Sequence, residues 1–279
     1  MTGDAKNHRT LVIDRTLPEI RSTLLKMSRL DILELCWLLR NVGADFIEAD
    51  PELLGRIGRL PEGLAFILKA GNVADLNVCK DTGIRRCVFR RNLLEQPEIA
   101  ETIRNNNLYA VLEVRVNSIG GIRRLEALKE TARFEVLSGI RITGLGQIDT
   151  PEWIDTIKRT RAILGKAIDI CPDNRFSMGN AVALEAAMNG IDCITASFSG
   201  FGCDRSYAAL EVVLSALKRK LAGGGKLNPE VLSLLYKQFT KCSRRKIVEK
   251  APILLWNPAD GWYDGERGGA KKVMELVDA

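Results

Sequence analysis

The sequence has little histidine, no closely paired cysteines and no long apolar run. His8 is the only histidine among the 279 residues. It precedes the first expected strand, so we do not expect histidine to act as a general acid or base here. No stretch of about 18 apolar residues occurs, which argues against a transmembrane helix. The seven cysteines form no Cys-x-x-Cys pair. This usage is typical of a reducing compartment rather than of a disulfide framework.

The charge pattern gives no sign of a nucleic-acid-binding protein. The net charge of +6 is spread along the chain, with local clusters at 85–91 and 244–246. No zinc-finger, helix-turn-helix or RNA-binding signature accompanies these clusters, so we interpret them as solvated surface. The amino terminus lacks an apolar signal core, so we expect a cytoplasmic protein that binds neither membrane nor nucleic acid.

Short β-prone runs alternate with helical stretches along most of the chain. Eight such units within about 220 residues predict a (β/α)8 TIM barrel, in preference to an open doubly wound sheet. The predicted strands are Thr10–Thr16, Ala44–Glu48, Leu64–Leu68, Arg86–Phe89, Val111–Val116, Ile140–Thr143, Ile168–Ile170 and Cys193–Ala196.

Glycine and proline punctuation places the helices between these strands. The predicted helices are Leu30–Val42, Pro51–Leu60, Asn72–Thr82, Pro97–Asn106, Gly121–Thr131, Pro151–Leu164, Ala181–Asn189 and Tyr207–Leu221.

A glycine run at 223–225 divides the chain into two parts. We therefore expect a barrel over residues 1–222 and a short C-terminal helical extension over 223–279. The extension is too small to be an independent domain. Its expected helices are Asn228–Lys241 and Lys271–Val277.

Three stretches carry a resemblance to a known family. They are V-I-D-R-T-L-P-E around Asp14, G-A-D-F-I-E ending at Glu48, and C-P-D-N-R-F-S-M-G-N-A from Cys171. Together with the barrel pattern, they resemble the homocitrate synthase and isopropylmalate synthase family of acetyl-CoA-condensing enzymes. Chain length and the first-strand sequence resemble the short partner of split homocitrate synthases, which serve nitrogenase cofactor assembly.

The resemblance implies a divalent metal site, with Mg, Mn or Zn as the ion. Asp14 matches the family's metal-binding aspartate. Cys171 and Asp173 stand where the family has two histidine ligands, and Ser199 stands where a metal-proximal asparagine is usual. Thiolate and carboxylate are competent ligands, but the paired imidazoles are absent.

The remaining candidate residues lie at the expected carboxyl ends of the strands. Glu48 matches the family motif, and Glu113 alternates with Arg115 so that both share one face. We expect Glu48 and Glu113 to be catalytic and Arg115 to contact an anionic substrate. Beside Arg115, the expected substrate-binding residues are Thr16, Asn174 and Arg175.

Several polar positions of the family have changed. Pro18 replaces the arginine that steadies the substrate's ketone oxygen, and Gly144 and Leu145 replace an Asp-Thr pair. Arg15 adjoins the first site, but strand alternation predicts that it points to the other side. The C-terminal extension contains no counterpart of the family's catalytic histidine.

The resemblance implies condensation of acetyl-CoA with a 2-oxo acid such as 2-oxoglutarate. Because polar positions are lost, we expect a divergent subunit of a homo- or hetero-oligomer that works with a full homocitrate-synthase-like chain. The lone chain is then an inactive pseudoenzyme. Two alternatives stay open: a non-catalytic organic-acid-binding or scaffold protein, and a metalloenzyme with a rebuilt Cys/Asp site.

Overall fold

The chain folds into a closed barrel of eight parallel strands. The computed structural model describes residues 9–145, 152–174, 178–202, 207–221 and 227–243. Each strand pairs with its neighbour in sequence, and the eighth pairs with the first. The predicted (β/α)8 architecture is confirmed.

All eight predicted strands are present, and their ends shift by at most two residues. Short β-branched and apolar runs form these strands because both faces of a parallel sheet are covered. The strands are β1 Leu11–Asp14, β2 Phe46–Ala49, β3 Phe66–Lys69, β4 Arg86–Arg90, β5 Tyr109–Arg115, β6 Gly139–Thr143, β7 Ala167–Cys171 and β8 Cys193–Ala196.

The helices surround this barrel, and none in the described part of the chain is long and apolar enough to cross a membrane. They are α1 Thr16–Glu19, α2 Arg21–Leu24, α3 Arg29–Val42, α4 Pro51–Ile57, α5 Asn77–Thr82, α6 Arg91–Leu94, α7 Ile99–Asn105, α8 Ile119–Arg124, α9 Trp153–Leu164, α10 Gly179–Met188, α11 Leu210–Leu221 and α12 Pro229–Ser243.

In two of the predicted helices, a 3-10 turn replaces part of the α-helix. The stretch predicted as Asn72–Thr82 forms a 3-10 turn at Ala74–Leu76 before α5. The stretch predicted as Gly121–Thr131 forms α8 and then a 3-10 turn at Leu125–Glu130. The predicted helix at 271–277 lies outside the described residues.

The helix that follows the barrel is packed against it. α12 lies along α3, and Tyr236 and Phe239 contact the ring of Phe198 with centroid distances of 4.8 and 5.3 Å. Phe198 follows β8, so these contacts join α12 to a loop at the carboxyl end of the barrel. The first helix of the extension is therefore part of the folded body.

The interior of the barrel changes from apolar to charged along its axis. Toward the amino ends of the strands, Ile13, Ile67, Val88 and Cys193 form a small apolar cluster. Above it lies Arg141, only 1% exposed. A guanidinium at this depth is stable only if carboxylates neutralise it.

Three carboxylates neutralise Arg141. Its Nε donates to Asp169 Oδ2 at 2.6 Å, and its Nη1 donates to Glu48 and lies 3.6 Å from Glu113 Oε2. Thr195 donates to Asp169. We call Arg141, Glu48, Glu113 and Asp169 the interior charge cluster.

The sheet register brings most of this cluster together. Arg90, Glu113, Arg141 and Asp169 are successive partners across β4 to β7, so their charges alternate around the barrel. Burial by itself would raise the pKa of Glu48, but the charges of Arg141, Arg15 and Lys69 lower it to about 2. Glu48 therefore stays ionised at neutral pH.

Another buried carboxylate, that of Asp14, lies at the carboxyl end of β1. Asp14 lies on the face opposite Ile13, and it accepts bonds from the Thr16 backbone N–H at 3.0 Å and the Thr16 hydroxyl at 2.6 Å. Burial raises the pKa of Asp14 to about 7, although these hydrogen bonds act in the opposite direction.

We expect Arg141→Met to destabilise the protein by about 3 to 5 kcal/mol, because it leaves Glu48 and Asp169 buried without their cation. Urea unfolding at pH 7 measures this loss. Arg159→Met is the matched control, since Arg159 has a 73% exposed side chain. A loss below about 1 kcal/mol would show that the interior charge cluster does not hold the barrel. Adding Glu48→Gln to Arg141→Met is expected to restore part of the loss.

Asp14→Asn is expected to change how stability depends on pH. The pKa of Asp14 is about 7 in the folded chain and 3.8 as a model value. The folded state therefore holds this proton more tightly than the unfolded state. The stability that protonated Asp14 contributes is lost as pH rises from about 4 through 7. A neutral asparagine avoids that loss, which is at most about 4 kcal/mol.

The measurement is urea unfolding of both proteins at pH 5 and pH 8. The stability advantage of Asp14→Asn over the parent should grow by about 2 to 3 kcal/mol between pH 5 and pH 8, whereas the exposed control Asp81→Asn should track the parent at both. The same stability difference between Asp14→Asn and the parent at both pH values would count against a buried, titrating Asp14.

Candidate substrate site

Two cavities open at the carboxyl ends of the strands, where barrel enzymes place their active sites. One, of about 590 Å³, lies over β2 to β4 and includes Lys69 and Arg21. The other, of about 450 Å³, lies over β4 to β7, and we call it the arginine cavity. Its lining includes Arg15, Arg90, Arg91, Asn92, Glu113, Arg115, Thr143, Gly144, Asp173 and Tyr207.

Arg15 lines the arginine cavity, whereas Asp14 does not, so Arg15 points to the side opposite Asp14, as predicted. β1 ends at Asp14, and the backbone of Arg15 has left the extended conformation (φ −114°, ψ 20°). Arg15 is only 4% exposed, and its guanidinium lies 4.4 Å from the centroid of the Tyr207 ring.

Hydrogen bonds and nearby charges fix the Arg15 guanidinium. It donates to Cys171 Sγ and to Glu19 Oε1, each at 3.1 Å, and lies 3.8 Å from Glu113 Oε2. Its Nε is buried and has no hydrogen-bond partner in the part of the chain that the structure describes. Burial acts to lower the pKa of Arg15, but the surrounding acids raise it well above its usual value. The guanidinium is therefore a permanent cation at the barrel mouth.

Glu113 and Arg115 share one face of β5, as predicted. Glu113 lies among three guanidiniums, those of Arg15, Arg141 and Arg90, and no described residue forms a hydrogen bond with its buried Oε2. Arg115 Nη2 lies 3.4 Å from Asp173 Oδ2, and its side chain is 32% exposed. Of the two carboxylates expected to be catalytic, Glu113 is the one that reaches both cavities.

Gly144 makes room for Arg115. Its φ of +90° lies in the left-handed region, and an added Cβ would come within 2.8 Å of Asn117 Oδ1 and of the Val116 carbonyl oxygen. Asn117 in turn accepts from Arg115 Nε at 3.2 Å. The loss of the family's side chain at 144 is thus linked to the placement of this arginine.

Glu48 lies deeper than Glu113 and is wholly buried. Lys69 Nζ lies 3.8 Å from its Oε1, beneath the larger cavity. A carboxylate with a pKa near 2 is a poor proton acceptor at neutral pH. Its position therefore favours holding Arg141 over transferring a proton.

The other expected substrate-binding residues are engaged within the fold. The Thr16 hydroxyl donates to Asp14 and accepts from the Phe198 N–H at 2.7 Å. Asn174 Oδ1 accepts from the Gly179 N–H at 2.8 Å, just before α10. Arg175 lies outside the described residues.

The four expected metal ligands are not brought together as a set. The described residues contain no group of three or more His, Cys, Asp or Glu side chains placed to hold a metal. Asp14 bonds to Thr16, Cys171 accepts from Arg15, and Asp173 bonds to Arg115. Ser199 sits in a left-handed turn (φ 56°), with its N–H donated to Glu211.

Donor chemistry adds to the misfit. Burial raises the pKa of the Cys171 thiol to about 11, despite Arg15 and Arg141, and its sulfur already accepts a hydrogen bond from Arg15. Two unit charges 4 Å apart interact by about 4 kcal/mol near a protein surface, so a divalent ion beside one guanidinium would lose about twice that. The described residues therefore do not fit a divalent metal at this position.

Sequence reasoning missed Lys69, Arg141, Asp169 and Tyr207. Two of them carried a usable signal, since I-R-I at 140–142 and I-D-I at 168–170 each place one charge inside an apolar strand. Charges of opposite sign at such positions on successive strands indicate an interior ion pair.

Comparison with known proteins supports a distant relationship. No family model matches the chain. The chain is 26% identical over 261 residues to the omega subunit of homocitrate synthase from Clostridium pasteurianum. The alignment covers 91% of this chain and 70% of that protein.

Solved structures show the same fold at low sequence identity. Hydroxymethylglutaryl-CoA lyase from Pseudomonas aeruginosa superposes with a TM-score of 0.65 at 14% identity, covering 88% of this chain and 96% of that one. The carboxyl transferase domain of Rhizobium etli pyruvate carboxylase gives 0.63 at 13%, covering 85% and 47%. The similarity to the omega subunit agrees with the family resemblance of the motifs, and the solved structures show that this chain shares their barrel fold.

Proposed function

We propose that this chain is the 2-oxo-acid-binding subunit of a two-chain acyltransferase of the homocitrate synthase type. The observation that carries the proposal is the arginine cavity. It retains the means to bind an anion, while the carboxylates beneath it are held in ion pairs. A partner chain with the family's histidines then supplies the residues that this chain lacks.

Charge and size support a small dianionic ligand. Among the described residues, four arginines and two carboxylates line the arginine cavity, and these leave an excess of two positive charges. Its volume of about 450 Å³ is within the usual range for small-molecule sites. Arg115 is the substrate-binding residue of the proposal, because its guanidinium is fixed by Asn117 and Asp173 yet stays partly exposed.

Proton transfer is the step for which this chain is poorly equipped. The condensation of acetyl-CoA with 2-oxoglutarate needs a base that removes a proton from the acetyl methyl group. Glu48 is too acidic for this work, and the chain has no histidine besides His8. Glu113 is the remaining candidate base here, but three arginine neighbours hold its carboxylate. Within the pair we therefore assign the base, and acetyl-CoA activation, to the partner.

The first test is thiol release from acetyl-CoA in the presence of 2-oxoglutarate. The purified chain alone should give no release above the uncatalysed rate, because it lacks a suitable base. The same chain mixed with a full-length homocitrate-synthase-like partner should turn over faster than the partner alone. Equal turnover by the lone chain and by the mixture would contradict the division of roles.

The second test places the substrate. In the mixture, Arg115→Gln should raise the KM for 2-oxoglutarate about 10-fold, because a charge-assisted hydrogen bond is lost. The KM for acetyl-CoA should be unchanged. Arg159→Gln, on the outer face of α9, is the control and should leave both values unaltered. An unchanged KM for 2-oxoglutarate in Arg115→Gln would remove this cavity as the oxo-acid site.

A further inference from the structure

A buried arginine lies beside the residues that stand at the family's metal-ligand positions. Arg15 Nη1 donates to Cys171 Sγ at 3.1 Å, and Cys171 is the residue aligned with one of the family's histidine ligands. The barrel mouth therefore already contains a cation next to this position.

The Arg15 cation is held in place before any ligand binds. Glu19 and Cys171 accept from its two terminal nitrogens, and the Tyr207 ring covers its plane. A guanidinium that is fixed in advance loses little side-chain entropy when an anion approaches. Its buried Nε–H has no hydrogen-bond partner among the described residues, so this donor is available to a ligand.

The surrounding charges suit an anion better than a metal. The arginine cavity has an excess of two positive charges before any ion is added. A divalent cation would raise this excess, whereas a dicarboxylate would neutralise it. The thiol of Cys171 and the carboxylate of Asp173 already have arginine partners.

We propose that the Arg15 guanidinium replaces the divalent metal of the family in this chain, so that the arginine cavity binds a 2-oxo dicarboxylate without a metal. Arg15 stabilises the negative charge of the oxo-acid end from the floor of the cavity, and Arg115 contacts the ligand from its side. The class of ligand rests on the proposed function, whereas the independence from metal rests on Arg15 and its neighbours.

The test is calorimetric binding of 2-oxoglutarate to the full chain. We expect the same Kd, within about 2-fold, in EDTA and in buffers with added Mg²⁺, Mn²⁺ or Zn²⁺. Metal analysis after dialysis should find less than one ion per ten chains. Binding that appears only with added metal, a stoichiometric metal whose removal abolishes binding, or no binding in any buffer would each overturn the proposal.

Two variants separate the charge of Arg15 from its structural role. Arg15→Met should weaken binding in EDTA by 10-fold or more, and Arg15→Lys, which keeps the charge, should stay within about 5-fold of the parent. The control Arg159→Met should bind as the parent does. Thermal unfolding of each variant identifies any that fails to fold. If Arg15→Met fails to fold, binding by Arg15→Lys and the parent's binding in EDTA and with added metals decide whether Arg15 replaces the metal. Parent-like binding by a folded Arg15→Met would overturn the proposal.

The outcomes also separate this inference from the proposed function. Metal-independent binding without condensation by the mixture would leave Arg15 in its role and refute the two-chain enzyme. Condensation by the mixture, together with metal-dependent binding by this chain, would support the two-chain enzyme and refute the role of Arg15.

Discussion

The alternation of charge around the inside of the barrel is the interaction on which the rest of the structure depends. Arg90, Glu113, Arg141 and Asp169 are neighbours in the sheet register, and Glu48 contacts Arg141 from across the barrel. Because Arg141 is wholly buried, its carboxylates cannot be removed without leaving an uncompensated charge. The carboxylates of the interior charge cluster therefore stabilise the fold by neutralising Arg141. The arginines above them are left to determine what the cavity attracts.

The fold was predictable because the sequence repeats a simple unit. Short apolar strands followed by helical stretches recur eight times, which favours closure, and glycine ends several of the helices, among them those at Gly43, Gly83 and Gly165. Strand ends shifted slightly because the pairing register, which no local pattern reveals, sets them. In the helices at 72–82 and 121–131, a 3-10 turn replaces part of the α-helix.

The site was harder to predict because its chemistry depends on partners from distant strands. Glu113 and Arg115 were found from their alternation, and Glu48 was found from a motif. Arg15 was predicted to point away from Asp14, and it does, but the cavity lies on the Arg15 side. The motif also drew attention to Asp14, whose carboxylate bonds to Thr16 rather than facing the cavity. Family position thus located the mouth of the barrel but not the direction of each side chain.

The turn at Gly144 bears on how this chain can change over time. The resemblance indicates that relatives have an aspartate at this position. Here the backbone is left-handed, and any Cβ would lie 2.8 Å from the Val116 carbonyl oxygen. Restoring the ancestral side chain by one substitution would strain the turn and displace Arg115 before it regained any chemistry. A single substitution at Gly144 would therefore not be enough to place an aspartate there, because the surrounding backbone would also have to change.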